Sequence, residues 1–374
     1  MNTSMKKGLN SEIYIPALDG LRFLAILGVL FFHIINYIYQ NHQEHELQTF
    51  VKNYVLPITN FGRFGVELFF IISGFTISLS IENYKIKGSI ELLKTFYLRR
   101  LSRIFPPYFI IITCSLIFNL LFLKTLSIEN GVSSYLASIF FIHNLIYPGE
   151  FPFLSGAAWS LEIEMQFYFL APILFLLFNR QSNNFKILLN LLFFLLFFVV
   201  NNIGNIVETK SLLNYAHYFI LGNILAFSKV HRNYIGNHYN VFLITMVIIY
   251  IFIYILNINY INNGSLILLY KFFTLLILFA GLYYILNTNR IKILTNKIFT
   301  EIGKISYSIY LLNYPIIVLF GKYILSISIF KNDYLELILF IILFITLILF
   351  LSFIFYKKVE KPLKSLFLKS IKQS

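Results

Sequence analysis

The sequence predicts an all-α polytopic membrane protein, a bundle of about ten transmembrane helices with short loops. Of its 374 residues, 58% are hydrophobic and only 12% are charged, about half the charged fraction of a soluble domain. Apolar stretches long enough to cross a bilayer recur along the chain. The net charge of +14 lies mainly in the links between these stretches. This distribution predicts a lipid bilayer rather than nucleic acid as the partner of the basic residues.

Hydrophobicity predicts the spans in chain order. They lie near 17–39, 64–82, 103–124, 160–178, 185–200, 212–228, 240–257, 265–286, 305–330 and 334–356. A further run at 133–148 is short, and its length suits a re-entrant or interfacial segment as well as a span.

Lysine and arginine predict the orientation of the bundle. They are abundant in the links 83–103 and 287–304 and in the tail after residue 356, so these segments should be cytoplasmic. Ten spans with both termini inside the cell satisfy all three assignments. We therefore expect one membrane domain with its core at 14–362 and a Lys-rich cytoplasmic tail at 357–374, in the cytoplasmic (inner) membrane.

The first span, "LDGLRFLAILGVLFFHIINYIY", contains two ionisable side chains, Arg22 and His33. On a helix, eleven positions return nearly to the same direction, so the two share a face about 16 Å apart along the axis. Taken alone, the position of Arg22 fits a side chain that extends back to the membrane–water interface. His33 lies deeper, and an ionisable residue inside a membrane is a functional candidate by default.

The second span, "GVELFFIISGF", carries Glu67 in an apolar helix, where a carboxylate needs a cationic or hydrogen-bonding partner. Ser73 and Gly74 would let a neighbouring helix approach closely.

The third span begins with a cluster of arginines, Arg99, Arg100 and Arg103, and Pro106-Pro107 follow, where we expect the helix to change direction. The arginines are compatible with an interfacial basic helix that binds anionic lipid and with a phosphate site, because guanidinium groups match phosphate geometry. These residues alone leave both interpretations open.

The segment "AAWSLEIEMQFYFLAP" begins with Trp159, the only tryptophan, at a predicted membrane entry. Glu162 and Gln166 share one helix face, and Glu164 points elsewhere. Carboxylates at this depth are costly unless they meet cations or a wet cavity, so the segment predicts part of a polar pocket. Near the C-terminus, "ISYSIYLLNYP" places a polar stripe on another helix.

Together these stretches resemble the acyltransferase-3 family of integral membrane acyltransferases, from Leu18 to Pro362. The resemblance rests on the Arg22-to-His33 spacing after "LDGLR" and on "GVELFFIISGF". It also rests on the arginine cluster with its prolines, on "WSLEIEMQFY", on "ISYSIYLLNYP", and on Glu360 with Pro362. Two departures are Asn313, where many relatives carry His, and Met165, where many carry an acidic residue.

The resemblance implies transfer of an acyl group, usually acetyl from acetyl-CoA, to a hydroxyl of a surface glycan or its precursor. We expect the arginine cluster and Arg22 to bind the coenzyme A thioester from the cytoplasm. His33 would act as general base or form an acyl-histidine intermediate. Glu164 or Glu67 would orient its imidazole. Substrate contacts are expected from Trp159, Ser160, Tyr168, Ser306, Tyr307, Asn313 and His143.

No histidine spacing typical of a metal site is present and there is a single cysteine, so we predict no metal. A rival interpretation is a membrane carrier of a glycan or acylated lipid, since buried charge would serve a transport path equally well. A non-catalytic scaffold for glycan assembly is a third. Release of free thiol from acetyl-CoA that depends on an acceptor glycan would distinguish the enzyme from both.

Overall fold

The computed structural model describes residues 15–42, 45–83, 89–178, 181–203, 210–227, 264–288, 292–327, 329–330 and 332–373. Within these ranges the secondary structure is helical, with no β-strand. The prediction of an all-α architecture is confirmed.

The α-helices are numbered in chain order over the described residues. They are α1 (Pro16–Asn41), α2 (His45–Phe50), α3 (Leu56–Thr59), α4 (Phe64–Asn83), α5 (Ser89–Phe118), α6 (Ile128–Ile139), α7 (His143–Ile146), α8 (Trp159–Phe178), α9 (Asn183–Ile203), α10 (Leu212–Phe227), α11 (Gly264–Thr288), α12 (Lys297–Lys304), α13 (Ser306–Leu325), α14 (Asp333–Phe355) and α15 (Lys361–Gln373).

Five helical runs are long and apolar enough to cross a membrane. They are Pro16–Asn41, Glu46–Ile81, Leu93–Leu123, Ser306–Leu325 and Asp333–Lys369. Shorter apolar helices lie at Asn184–Val200, Leu212–Phe227 and Leu275–Leu286. The expected span at 240–257 lies outside the described residues, so the total of ten stays a prediction.

Two segments differ from the simple alternation of spans and loops. The run 133–148 is divided between α6 and α7, and α6 has 12 residues, about 18 Å of helix, too short for a hydrocarbon core of about 30 Å. The basic tail continues the helical run of α14, through a π-helical turn, into α15. Pro106 and Pro107 lie inside α5, which continues through both as one helix.

α1 packs against α4, α12 and α13, so the helix with Arg22 and His33 has neighbours on several sides. α4 is held against α10 by two small residues. A Cβ atom on Gly74 would collide with the carbonyl oxygen of Phe219, and one on Gly222 would collide with that of Ile71. The expected close helix approach at Gly74 is therefore confirmed.

Candidate active site

A polar cavity of about 80 Å³ lies between α1, α4, α5, α8 and α13. Three of the four ionised side chains on its wall are arginines, and the fourth is a glutamate. The cavity is lined by Arg22, Phe69, Phe70, Ile72, Ser73, Thr76, Arg100, Arg103, Ile104, Ser160, Leu161, Glu164, Tyr168, Ser306, Tyr307 and Tyr310. The structure thus brings together residues that the sequence had suggested in four separate segments.

Arg22 enters this cavity from the first turns of α1. Its Nη1 donates to Oδ1 of Asp19 at 2.8 Å, one turn earlier on the same helix. Asp19 is not among the residues of the cavity wall, so it pairs with the guanidinium from outside the cavity. Asp19 was not among the predicted site residues, although its position three residues before Arg22 is the signal that could have found it.

Arg100 and Arg103 enter the cavity from α5. The Arg100 guanidinium lies 5.4 Å from the ring centroid of Tyr168 and donates to Ser80 Oγ at 3.3 Å. Arg103 lies within electrostatic reach of Glu360, whose carboxylate accepts a 2.5 Å hydrogen bond from Ser308 Oγ.

Glu360 belongs to the π-helical turn after α14 and is buried, and sequence analysis had not named it as a site residue. Arg99 partly differs from expectation, because it is not among the residues that line the cavity.

Glu164 extends from α8 into the same cavity and accepts hydrogen bonds from the hydroxyls of Ser73 and Tyr168. Beside it, Ser160 and Tyr310 form a 2.7 Å hydrogen bond between their hydroxyls. Tyr310 also donates to the carbonyl oxygen of Ala157. These contacts hold the polar groups of α8 against α13.

His33 lies farther along α1 and is only partly buried. Its Nδ1 is 2.7 Å from Oδ1 of Asn313 on α13. Among the described residues this is its one side-chain hydrogen bond. Asn313 is three residues beyond Tyr310, so one turn of α13 separates the cavity wall from the partner of His33.

The expected pairing of His33 with Glu164 or Glu67 differs from this geometry. Glu164 is occupied by Ser73 and Tyr168, as above. Glu67 lies within electrostatic reach of Arg63, Tyr215 and Tyr218. Its Oε2 has no hydrogen-bond partner among the described residues.

The ring of Trp159 packs at tilted and edge-on angles against two aromatic rings. Its ring lies 5.1 Å from that of Tyr215 and 6.5 Å from that of Phe70, measured between centroids. Phe70 also lines the polar cavity. Trp159 therefore contacts the site through Phe70 and is not itself part of its wall.

His143 is fully buried, with 0% of its surface exposed, and its ring packs against those of Tyr147 and Phe153. The expectation that it lines the acceptor side does not match this placement. Burial lowers the pKa of His143 to about 4, so the imidazole is neutral at physiological pH.

A second polar face of α8, formed by Glu162 and Gln166, holds the turn at 141–144 in place. Glu162 Oε2 accepts from the backbone N–H of Asn144 at 3.0 Å. Gln166 donates to Asn144 Oδ1 at 2.8 Å and to the carbonyl of Phe141 at 2.9 Å. Phe141 has a positive φ of 58°, a conformation that costs a non-glycine residue about 1–2 kcal/mol. This face therefore stabilises a strained turn.

The arrangement provides two kinds of chemistry along one helix. The arginine-lined cavity can hold an anionic group through charge-assisted hydrogen bonds. The imidazole of His33, held by Asn313 one turn of α13 beyond Tyr310, can accept a proton. No group of three His, Cys, Asp or Glu side chains suitable for a metal ion occurs within the described ranges.

Comparison with known proteins gives one family and several relatives. Residues 15–357 match the family model described as "Acyltransferase domain". The chain is 31% identical over 346 residues to an O-acetyltransferase OatA of Staphylococcus aureus, covering 84% of this chain and 52% of that protein. It is 30% identical over 190 residues to a peptidoglycan O-acetyltransferase OatA of Listeria monocytogenes, covering 48% of this chain and 27% of that protein. No solved structure matches.

Proposed function

Because this chain belongs to the acyltransferase family that its residues 15–357 match, we propose that it is a membrane O-acetyltransferase with a carbohydrate acceptor. Acetyl-CoA is the proposed donor, and a hydroxyl of a cell-envelope glycan is the proposed acceptor. The chain spans about half the length of the Staphylococcus relative and about a quarter of the Listeria relative. The peptidoglycan substrate named for the latter supports a glycan acceptor.

The arginine-lined cavity is proposed to receive the donor. Its wall carries three guanidinium groups and one carboxylate, while Asp19 pairs with Arg22 and Glu360 lies within electrostatic reach of Arg103. The guanidinium groups on the wall can donate charge-assisted hydrogen bonds to an anionic group of the donor. The cavity volume of about 80 Å³ suits a group of the size of a phosphate. The rest of the nucleotide would lie outside the cavity, on the side of α5 that carries the other residues of the basic link.

Positive charge in the links 83–103 and 287–304 and in the tail supports a cytoplasmic entrance for this donor and cytoplasmic termini. Arg100 and Arg103 lie within the first of these links, in the first half of α5. Acetyl-CoA from the cytoplasm would therefore meet the arginines before its thioester approaches His33.

His33 is proposed as the general base of the transfer. It takes the proton from the acceptor hydroxyl as that oxygen attacks the thioester carbonyl carbon. The new C–O ester bond forms, the C–S bond breaks, and the imidazolium returns the proton to the departing thiolate. A direct transfer needs no covalent enzyme intermediate, and the free thiol of coenzyme A is the second product.

One observation carries the proposal: α13 contributes Tyr310 to the wall of the arginine-lined cavity and, one turn later, Asn313 to the hydrogen bond with His33. A carrier would need charge along a path, whereas here one helix contacts both an anion-binding cavity and a separate proton acceptor.

The test uses purified full-length protein in lipid nanodiscs with acetyl-CoA and soluble peptidoglycan fragments. We expect thiol release that depends on the fragments, together with an acetyl ester on them detected by mass spectrometry. His33→Ala should reduce both by at least 100-fold. His42→Ala, just after the end of the same helix, is the matched control and should leave both rates within twofold. Full ester formation by His33→Ala would contradict the assignment of the base.

A further inference from the structure

We propose that Asn313 is a positioning residue that holds neutral His33 with its proton on Nδ1 and so leaves Nε2 as the basic nitrogen. This inference rests on the proposed function, because it specifies how the base of that reaction is prepared. Neutral imidazole exists in two tautomers, and only a nitrogen without a proton can act as the base. The contacts of Asn313 decide between them.

The contact between the two side chains is short and enclosed. Asn313 Oδ1 lies 2.7 Å from His33 Nδ1, and Asn313 is 0% exposed. Water cannot compete for its amide at that burial. A hydrogen bond at this distance requires one donor and one acceptor, so the orientation of the amide determines which tautomer of His33 is present.

The remaining contacts of Asn313 fix that orientation. Its Nδ2 donates to the carbonyl oxygens of Tyr310 at 2.6 Å and Ile309 at 3.2 Å. An amide turned by 180° would place Oδ1 against both carbonyl oxygens, which have no proton to offer. That arrangement would lose two hydrogen bonds and bring three acceptors together. The amide oxygen must therefore face His33, and Nδ1 must be the donor.

An asparagine beside a catalytic histidine does not impose this tautomer by itself. When asparagine replaces the aspartate of the serine protease triad, kcat falls about 10⁴-fold because the histidine adopts the wrong tautomer. In the present chain the amide N–H₂ is engaged by its own helix, so it cannot donate to the imidazole. The backbone carbonyls of α13 thus hold Asn313 Oδ1 toward His33, where it accepts a hydrogen bond as a carboxylate does in a triad.

Nε2 is left without a protein partner among the described residues. The imidazole is partly exposed, and the ring of Tyr314 lies 6.1 Å from it in an edge-on arrangement. The guanidinium of Arg63 lies 5.8 Å from the centroid of the neighbouring Phe32 ring. Among the described residues, the Asn313 amide is the side chain that hydrogen-bonds the imidazole.

The hydrogen bond between Asn313 and His33 also stabilises the imidazolium form of His33. Imidazolium donates from both nitrogens, so Oδ1 continues to accept from Nδ1 after Nε2 has taken a proton. The hydrogen bond needs no rearrangement during the reaction, which is the condition under which a preorganised polar group lowers a barrier.

Two substitutions test the inference by steady-state kinetics across pH, with kcat expressed per folded protein from size-exclusion profiles. Asn313→Leu removes the acceptor, and we expect kcat to fall about 100-fold while the KM for acetyl-CoA changes less than threefold. Asn313→Asp keeps an acceptor, so kcat should stay within tenfold of wild type. Its carboxylate favours imidazolium, so the acidic limb of the kcat/KM profile should move about one pH unit upward.

Asn223→Leu is the matched control, an asparagine on α10 that accepts from Ser78 at 2.9 Å and lies outside the site. It should leave the pH profile unchanged. The inference is wrong if Asn313→Leu keeps the wild-type kcat, or if Asn313→Asp folds and its pH profile does not shift. If Asn313→Asp does not fold, the kcat of Asn313→Leu alone decides. The proposed function itself fails only if wild-type protein releases no acceptor-dependent thiol, so the two failures are distinguishable.

Discussion

The close contact between α4 and α10 predicts that Gly222→Ala destabilises the protein, by an amount that the packing distances determine. An alanine at position 222 would place its Cβ 2.6 Å from the backbone nitrogen of Phe75, whereas non-bonded heavy atoms prefer about 3.5–4.0 Å. The helices must separate by about 1 Å, because backbone atoms cannot rotate aside. Overpacking of this kind costs about 1–3 kcal/mol. Gly281 on α11 is the matched control, because a Cβ there meets nothing within 4 Å.

Both substitutions gain the same helix propensity of about 1 kcal/mol, so their difference isolates the packing cost. We expect Gly222→Ala to melt about 1–4 °C below Gly281→Ala, because an unfolding entropy of about 2.1 cal/mol/K per residue over 374 residues gives about 1.3 °C per kcal/mol. The assay is thermal unfolding of each detergent-solubilised protein, followed by the fraction that elutes as a single species in size exclusion. A Gly222→Ala protein that melts at or above the Gly281→Ala protein would refute the close approach of α4 and α10.

Two further predictions concern the donor site and the buried histidine. Arg103→Leu should raise the KM for acetyl-CoA about 10- to 100-fold with a smaller effect on kcat, since a charge-assisted hydrogen bond contributes about 1.5–3 kcal/mol. Thiol-release kinetics measure both constants. An unchanged KM would remove Arg103 from the donor site. His143 has a folded pKa of about 4, below its unfolded value of about 6.5, so its contribution to stability is complete above pH 6.5 and is lost as pH falls toward 4. The melting temperature of wild type should therefore fall more over that interval than that of His143→Gln, and parallel pH curves for the two proteins would contradict the buried neutral state.

Helix periodicity was sufficient to place Arg22 and His33 correctly relative to each other. Eleven residues return to the same face, and in the structure both side chains meet residues at the α1–α13 contact: Arg22 shares a cavity with Ser306 and Tyr307, and His33 bonds Asn313. The shared face of Arg22 and His33 depends on local helix geometry alone, which a sequence specifies once the helix is recognised.

The partners of the charged groups could not be predicted in the same way. Glu164 meets Ser73 across 91 residues, and His33 meets Asn313 across 280. Such pairings depend on which helices are neighbours. Glu162 and Gln166 show the same limit: their shared face was recognised, but the turn at 141–144 that it anchors comes from outside the helix.

The polar stripe of α13 connects the two halves of the site. As an isolated pattern it was a weak signal, since aromatic residues near an interface are commonly anchors. In the structure, Ser306 and Tyr310 line the arginine cavity, and Asn313 holds the base, a rise of about 10 Å over seven residues. The proposed anion site and the partner of the proposed base therefore lie at separate levels of α13. Substitutions among the arginines should then act mainly on the donor KM, and substitutions at Asn313 mainly on kcat, because neither level contains the other's side chains.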